Sequence, residues 1–358
     1  MGKTILLITT RSEGVTASQV RIRYFKQALE HQGYTVIDFE VNLNGLNKYL
    51  YYLHRSPPKY LIAESRDVDL IMATSPTLIN AILAHKVARK LNKPLIIDIR
   101  DLWEEYAKTA HSLLYKIGII KSIVKEYYEA LEYAAKILVV TEPMRRYYED
   151  IAGVKGKVIV ISNGTDVNLI KCGEVKRTED LICLADLNRP YHNLEFLFEA
   201  LKENHLRLSI IGGGSLLPKM KKKAQELGII NRVSFIGWVP YENLASHLCK
   251  AKVGAVGRPF IGNIEYLYTI PVKTYDYLAA GLAIVGYGPK NSALEEFIRV
   301  NALGCYVSEQ NPTVLSEELT KLVEKSDDFR RKARSLALSF DRKKIAQKVV
   351  ELINDLVK

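Results

Sequence analysis

Short apolar runs rich in β-branched residues recur along the whole chain, and segments with helical spacing separate them. In the first half Thr4–Thr9, Tyr34–Phe39, Asp69–Ala73, Pro94–Ile99, Lys136–Val140 and Lys157–Ile161 read as strands. Between them, Ala17–Gln32 is an amphipathic helix with Val20, Tyr24, Ala28 and Leu29 inward. Residues 44–66 are tyrosine-rich and basic, broken at Pro57-Pro58, and 112–134 form a long helical region. Ser75-Pro76 reads as a helix start, with Ser as the cap and Pro in the first turn. The alternation begins again at Leu181–Ala185 and continues through Leu208–Ile211, Val233–Ile236, Val253–Val256, Ala283–Val285 and Cys305–Val307. Leu216–Leu227, Leu244–Ala251 and Pro271–Gly281 supply the helical segments between them. Strands that are apolar throughout, alternating with helices, predict parallel sheets covered on both faces. The fold class is α/β.

At 358 residues the chain is long for one domain. Asn163-Gly164 is a turn signal, and Lys171, Gly173, Glu174 and Lys176 make a polar connector, so the halves divide within 162–178. We set an N-terminal domain at 1–165 and a C-terminal domain at 166–340. The last segment has Ile345, Val349, Leu352 and Leu356 at helical spacing.

Four cysteines, Cys172, Cys183, Cys249 and Cys305, show no C-x-x-C spacing and no nearby histidine cluster, which predicts reduced, mostly buried thiols rather than disulfides or zinc. The first residues enter a strand directly, without the pattern of a signal peptide, and no apolar run reaches membrane-spanning length. The expectation is a soluble or peripheral protein. The net charge of +11 is spread, with no block of like charges and no nucleic-acid-binding motif. That leaves an anionic membrane face or phosphorylated small molecules as the partners a basic surface favours.

Parallel sheets bind ligands at the carboxyl ends of their strands, where loops meet helix N-termini. Two glycine-bearing loops, Gly212–Gly214 and Gly237–Trp238, leave strand ends here. Lys273 and Asp276 stand about one helical turn apart and can share a face. An anion-friendly loop, a base-sized loop and a charged helix start suggest a nucleotide site. A dehydrogenase fingerprint is not completed: Leu217 replaces the third glycine, and Trp238 stands where the next strand should close with an acid.

The order GGGS, RVSFIGWVP, PVKTYDYLAAG resembles the donor domain of the GT-B glycosyltransferases of family 4, in the branch that builds surface polysaccharides. The resemblance implies two Rossmann-like domains facing across a cleft, with the final helix, 341–358, crossing back to the N-terminal domain. It implies that Gly14 and Gly213 admit the donor diphosphate to backbone, and that Trp238 and Val239 lie at the nucleobase. An ordinary turn glycine and a packed Trp are the competing readings. ADLNRPYHNLEFLFEAL resembles the phosphate-binding segment, with His192 at the usual lysine position and Arg189 close by. A solvated Arg189 and a capping His192 are the alternatives.

PVKTYDYLAAG resembles the second half of a motif of two glutamates seven residues apart. Asp276 takes the second position, which holds the donor ribose; the first falls on Tyr268, with Glu265 three residues off. Lys273 matches the Pro-x-Lys form and is implied to neutralise the leaving pyrophosphate, against the reading of a surface ion pair. Three charges crowd the end of a buried strand at Asp98–Trp103, where charge is costly unless paired or used. Arg100 replaces the family's histidine and Asp101 matches its acid; the competing reading is a structural Arg100–Asp98 pair.

The activity implied is metal-independent, retaining transfer of a hexosyl or N-acetylhexosaminyl group from a nucleotide-diphospho-sugar to a glycan or lipid-linked acceptor. No cofactor is implied beyond the donor substrate. Residues 44–62 and 112–128 mix Lys and Arg with Tyr, Leu and Ile, which suits an anionic membrane surface, the inner membrane face of the cytoplasm, as well as a core helix with a wet face. A sugar-nucleotide epimerase and a non-catalytic nucleotide-sugar- or glycan-binding protein are the two rivals.

Overall fold

In the computed structural model, residues 2–357 are described except 12–16, 45, 76, 111–114, 117, 152 and 174. Gly14, Pro76 and the connector's Glu174 therefore lie outside the described residues, as does part of the 112–134 segment. The chain forms two compact units, residues 1–163 with 342–358, and residues 164–341.

The first unit is built on β1 (Thr4–Thr10), α1 (Ala17–His31), β2 (Thr35–Val41), α2 (Leu46–His54), α3 (Lys59–Glu64) and β3 (Leu70–Thr74). It continues with α4 (Leu78–Leu91), β4 (Leu95–Ile99), α5 (Trp103–Ala110), α6 (Ile119–Tyr133), β5 (Lys136–Val139), α7 (Glu142–Ile151) and β6 (Val158–Val160). Six parallel strands lie in the order β2-β1-β3-β4-β5-β6. Ile5, Leu6, Leu7 and Ile8 are all buried, so both faces of β1 are covered, as an unbroken apolar run requires. α4 starts later than Ser75-Pro76 suggests, with Thr77 at the N-cap. Ser75 is committed elsewhere: its Oγ accepts from the Arg100 N–H at 3.1 Å.

The second unit runs β7 (Glu179–Leu184), α8 (Leu194–Lys202), β8 (Leu208–Ile211), α9 (Leu217–Glu226), β9 (Val233–Gly237), α10 (Ala245–Leu248) and β10 (Ala251–Gly257). It is completed by α11 (Ile264–Tyr268), α12 (Lys273–Ala280), β11 (Ala283–Tyr287), α13 (Ala293–Val300), β12 (Gly304–Val307), α14 (Pro312–Glu324) and α15 (Ser326–Ala337). Its six parallel strands lie in the order β12-β11-β10-β7-β8-β9. This is the doubly wound order, in which the winding reverses between β7 and β10.

The last helix, α16 (Arg342–Leu356), belongs to the first unit. Ile345, Val349, Val350 and Ile353 are buried in one cluster with Phe25 and Leu29 of α1. The helix crosses back because its apolar stripe completes that core.

The cysteine expectation needs correction. Cys172 and Cys249 form a disulfide across 77 residues, with Cα atoms 5.4 Å apart. Local spacing carries no sign of it, since tertiary packing brings the connector against the chain that enters β10. Cys183 is a buried free thiol, as expected, and Cys305 is a partly buried one.

Candidate functional site: a buried lysine at the switch point of the second sheet

The carboxyl ends of β7 and β10 diverge where the strand order reverses, and α12 sends Lys273 to that point. Lys273 is 8% exposed. Its Nζ donates to the Leu184 carbonyl at 2.5 Å and lies 3.8 Å from Cys183 Sγ and 3.0 Å from His192 Nδ1. Tyr277, one turn further along α12, accepts the Leu184 N–H at 2.8 Å, so the same helix holds both polar groups of that residue. Burial lowers the Lys273 pKa; the Cys183 thiol opposes this and the Arg258 cation adds to it. His192 is pushed down to about 2 by burial and then by the Lys273 and Arg258 charges, so its ring is neutral. A cavity of about 440 Å³ opens beside His192, lined among others by Arg189, Lys219, Met220, Ile261 and Tyr266.

The GGGS loop next to this centre is glycine-rich for a packing reason. Gly212 and Gly214 have φ of +127° and +149°, and a Cβ on either would lie 2.0 Å from Ala185 O or 2.4 Å from Asn188 N. The loop is laid against 185–188 by Leu187 N–H to Gly213 O (2.9 Å) and Leu216 N–H to Leu187 O (2.8 Å). Gly213 faces Trp238, whose Nε1 would meet an added Cβ at 3.0 Å. Trp238 is 68% exposed, so it is not a core residue. Val239 is half-buried against the apolar cluster beneath.

Asp276 takes a different direction from Lys273. Its Oδ1 accepts from Thr165 Oγ1 at 2.8 Å and Tyr241 OH at 2.9 Å, tying α12 to the start of the unit. Tyr268 closes α11 and is half-buried, and Glu265 accepts, through its carbonyl, from Thr269. Arg189 is exposed; its guanidinium bonds Tyr191 OH and lies 5.5 Å over that ring. Thus Lys273 and His192 are brought together, Arg189 shares the cavity with His192, and Trp238 covers Gly213.

Sequence reading missed Cys183, Tyr277, Asp186 and Arg258. Arg258 was findable, because it directly follows an apolar strand, the signal that singled out Arg100. The others sit inside or beside apolar runs and carry no pattern of their own.

In the first unit the charged strand end resolves into separate partners. Asp98 pairs with Arg21, not Arg100: Arg21 Nε and Nη2 reach its two oxygens at 3.2 and 3.0 Å. Thr74 Oγ1 adds a third bond, and Arg21 also caps the Ile161 and Ser162 carbonyls. Arg100 is buried and donates to the Ser75 carbonyl, while Asp101 is half-buried. A cavity of about 290 Å³ lies at the ends of β1 and β3, lined by Thr9, Thr10, Thr74, Arg23 and Lys26 among others. Glu104 on α5 is wholly buried beside Tyr127, Tyr147 and Tyr148. Burial raises its carboxyl to about 7; neither oxygen is in full hydrogen-bond geometry, and the nearby Tyr148 hydroxyl offsets only part of that cost.

Two family profiles match the sequence. The one described as Glycosyltransferase Family 4 covers residues 4–169, and the one described as Glycosyl transferases group 1 covers residues 178–325. The chain belongs to the group 1, family 4 glycosyltransferases. Its GT-B fold is shared with solved structures at low sequence identity. Sucrose-phosphate synthase from Thermosynechococcus elongatus aligns with a TM-score of 0.78 at 15% identity, over 99% of each chain. Anabaena HepE, solved with UDP-glucose, aligns with a TM-score of 0.73 at 15% identity, over 99% of this chain and 100% of that one. A glycosyltransferase from Rickettsia africae aligns with a TM-score of 0.69 at 13% identity, over 100% and 99% of the two chains. No curated protein matches by sequence. As a glycosyltransferase of this family the chain is an enzyme. Among its described residues, no helix is long and apolar enough to cross a membrane.

Proposed function

We propose that this glycosyltransferase moves a hexosyl or N-acetylhexosaminyl group from a nucleotide-diphospho-sugar to a glycan or lipid-linked acceptor, with retention of configuration and no bound metal. The observation that carries the donor half is Lys273, a buried amine held at the switch point beside a cavity lined by Arg189, His192 and Lys219. A pyrophosphate placed there meets fixed nitrogen donors at its leaving oxygens, where charge develops in the transition state. HepE, of the same fold, is solved with UDP and with UDP-glucose, which favours a nucleotide-sugar as the ligand.

In this reading Lys273 and Arg189 stabilise the departing nucleotide. Trp238 offers the nucleobase an exposed aromatic face beside Gly213. Arg100 and Asp101 orient sugar or acceptor from the first unit. Asp276 serves the scaffold, since its Oδ1 is committed to Thr165 and Tyr241. For the acceptor, α6 turns Ile120, Ile123, Val124, Tyr127 and Leu131 into the core, so it fits the reading of a core helix with a wet face. The lipid contact is assigned instead to α2 and α3, where Leu50, Leu53 and Tyr60 are exposed, with sedimentation on anionic vesicles as its check.

The test is a thermal-shift panel of UDP, GDP, ADP and their sugar conjugates, followed by transfer from the donor that binds. One nucleotide diphosphate is expected to raise the Tm selectively. NMR of the product is expected to show the donor's anomeric configuration, in the presence of a chelator. No shift with any nucleotide, in protein shown to be folded, would remove the donor site from this position.

A further inference from the structure

The polar atoms around Lys273 constrain where protons can sit, and the constraint has a consequence for binding. The Asp186 backbone N–H points at His192 Nε2 at 3.1 Å. A backbone amide is always a donor, so Nε2 must be the bare, accepting nitrogen of the ring. A neutral imidazole then carries its one proton on Nδ1. Nδ1 in turn lies 3.0 Å from Lys273 Nζ. A bond there from Nδ1–H needs a lone pair on Nζ, which an ammonium lacks and an amine has. The opposite assignment, with Nζ donating to a bare Nδ1, places two hydrogens in the 3.1 Å gap between Asp186 N and Nε2. A doubly protonated ring places a proton in both gaps next to a cation. Only one arrangement satisfies both contacts: Asp186 N–H to Nε2, Nδ1–H to Nζ, and the two amine hydrogens of Lys273 toward Leu184 O and Cys183 Sγ.

We propose that Lys273 is a neutral amine in the donor-free enzyme, kept so by the Nδ1–H of His192, and that binding of a nucleoside diphosphate takes up one proton at Nζ. The inference rests on the donor-site reading above. On protonation the lone pair is consumed, so Nζ and Nδ1–H can no longer bond each other. Both then present hydrogens to phosphate oxygens, and the added proton comes from solvent. The resting pair thus becomes a two-pronged clamp only when the anion arrives. His192 is the positioning residue of this device.

The surroundings agree. The groups facing the pair are Cys183 on β7, Arg258 after β10, Tyr277 on α12 and Tyr287 on β11, whose hydroxyl donates to the His192 carbonyl at 3.0 Å. Among the described residues Lys273 makes no ion pair with a carboxylate. Burial and the Arg258 cation favour the uncharged amine, and a bound polyanion reverses that preference.

The test is calorimetric titration of UDP into the enzyme near pH 8, where the nucleotide phosphates are already ionised, in two buffers of different ionisation enthalpy. Uptake of about one proton per UDP is expected, with affinity falling as pH rises, by up to about tenfold per unit. Lys273→Arg, always charged, is expected to bind UDP with no uptake, and His192→Phe with reduced uptake. Binding by the wild type with no proton exchange would overturn the proposal while leaving the donor site intact. Unchanged uptake in His192→Phe would overturn the part given to His192. Should UDP, GDP and ADP all fail to bind, the donor site itself falls. Lys273 is then still read by 13Cε-lysine NMR, assigned with Lys273→Arg: a shift typical of neutral amine near pH 8 upholds the neutral state, and an ammonium shift overturns it.

Discussion

The two sheets each bury an ionisable group at a strand end, and they treat it in opposite ways. In the first unit Asp98 is met by a threonine hydroxyl and a two-pronged Arg21, which is itself held by two carbonyls. In the second, Lys273 faces a carbonyl, a thiol and an imidazole, and no carboxylate ion pair among the described residues. A buried charge with a full set of partners is architecture, because any ligand would have to break those bonds. A buried amine given only neutral partners keeps its capacity to meet an anion. The same sequence signal, a charge beside an apolar run, therefore has two meanings, and only the partners decide between them.

Removing one partner from each unit tests that difference most severely. Arg21→Met is expected to destabilise the protein by about 3–5 kcal/mol in urea unfolding, because Asp98 is left buried and uncompensated. Lys273→Met is expected to leave stability unchanged or slightly higher while weakening nucleotide binding about 10- to 100-fold, the loss of a charge-assisted hydrogen bond. Equal loss of stability in both variants would dissolve the contrast.

Next in size is the Cys172–Cys249 link within the second unit. Its loop of 77 residues predicts about 4.5 kcal/mol from chain entropy, measurable as the drop in unfolding free energy when dithiothreitol is added. Glu104 gives a pH signature confined to the first unit. Its native pKa of about 7 lies above the ordinary value of 4.5, so the native state holds the extra proton between them. Stability is fully present below about 4.5, falls as pH rises toward 7 and is flat above. Glu104→Gln is expected to flatten that slope, by up to about 3 kcal/mol. The smallest effect belongs to Trp238→Ala, which at 68% exposure is expected to change stability by under about 0.5 kcal/mol, while lowering nucleotide affinity.

Most strands and helices were legible because their residues are apolar on both faces of buried sheets, and Ile5–Ile8 or Val253–Val256 need no partner to be recognised. The crossing of α16 was legible only through family resemblance, since nothing in Ile345 or Val349 says which core they complete. Lys273 and His192 were each named from the sequence, but their bond was not, because 81 residues separate them. The bonds of Asp276 and the disulfide were not legible for the same reason. Thr165 and Tyr241 reach Asp276, and Cys172 reaches Cys249, only through tertiary packing.

The return of α16 also sets an order of events during synthesis. A ribosome delivers residues 1–163 first, yet Ile345, Val349, Val350 and Ile353 of that unit's core emerge last. The second unit is one uninterrupted segment and can finish folding while the first still lacks part of its interior. The half begun first is therefore the half completed last, and until then its open side, at α1, is what a chaperone would meet.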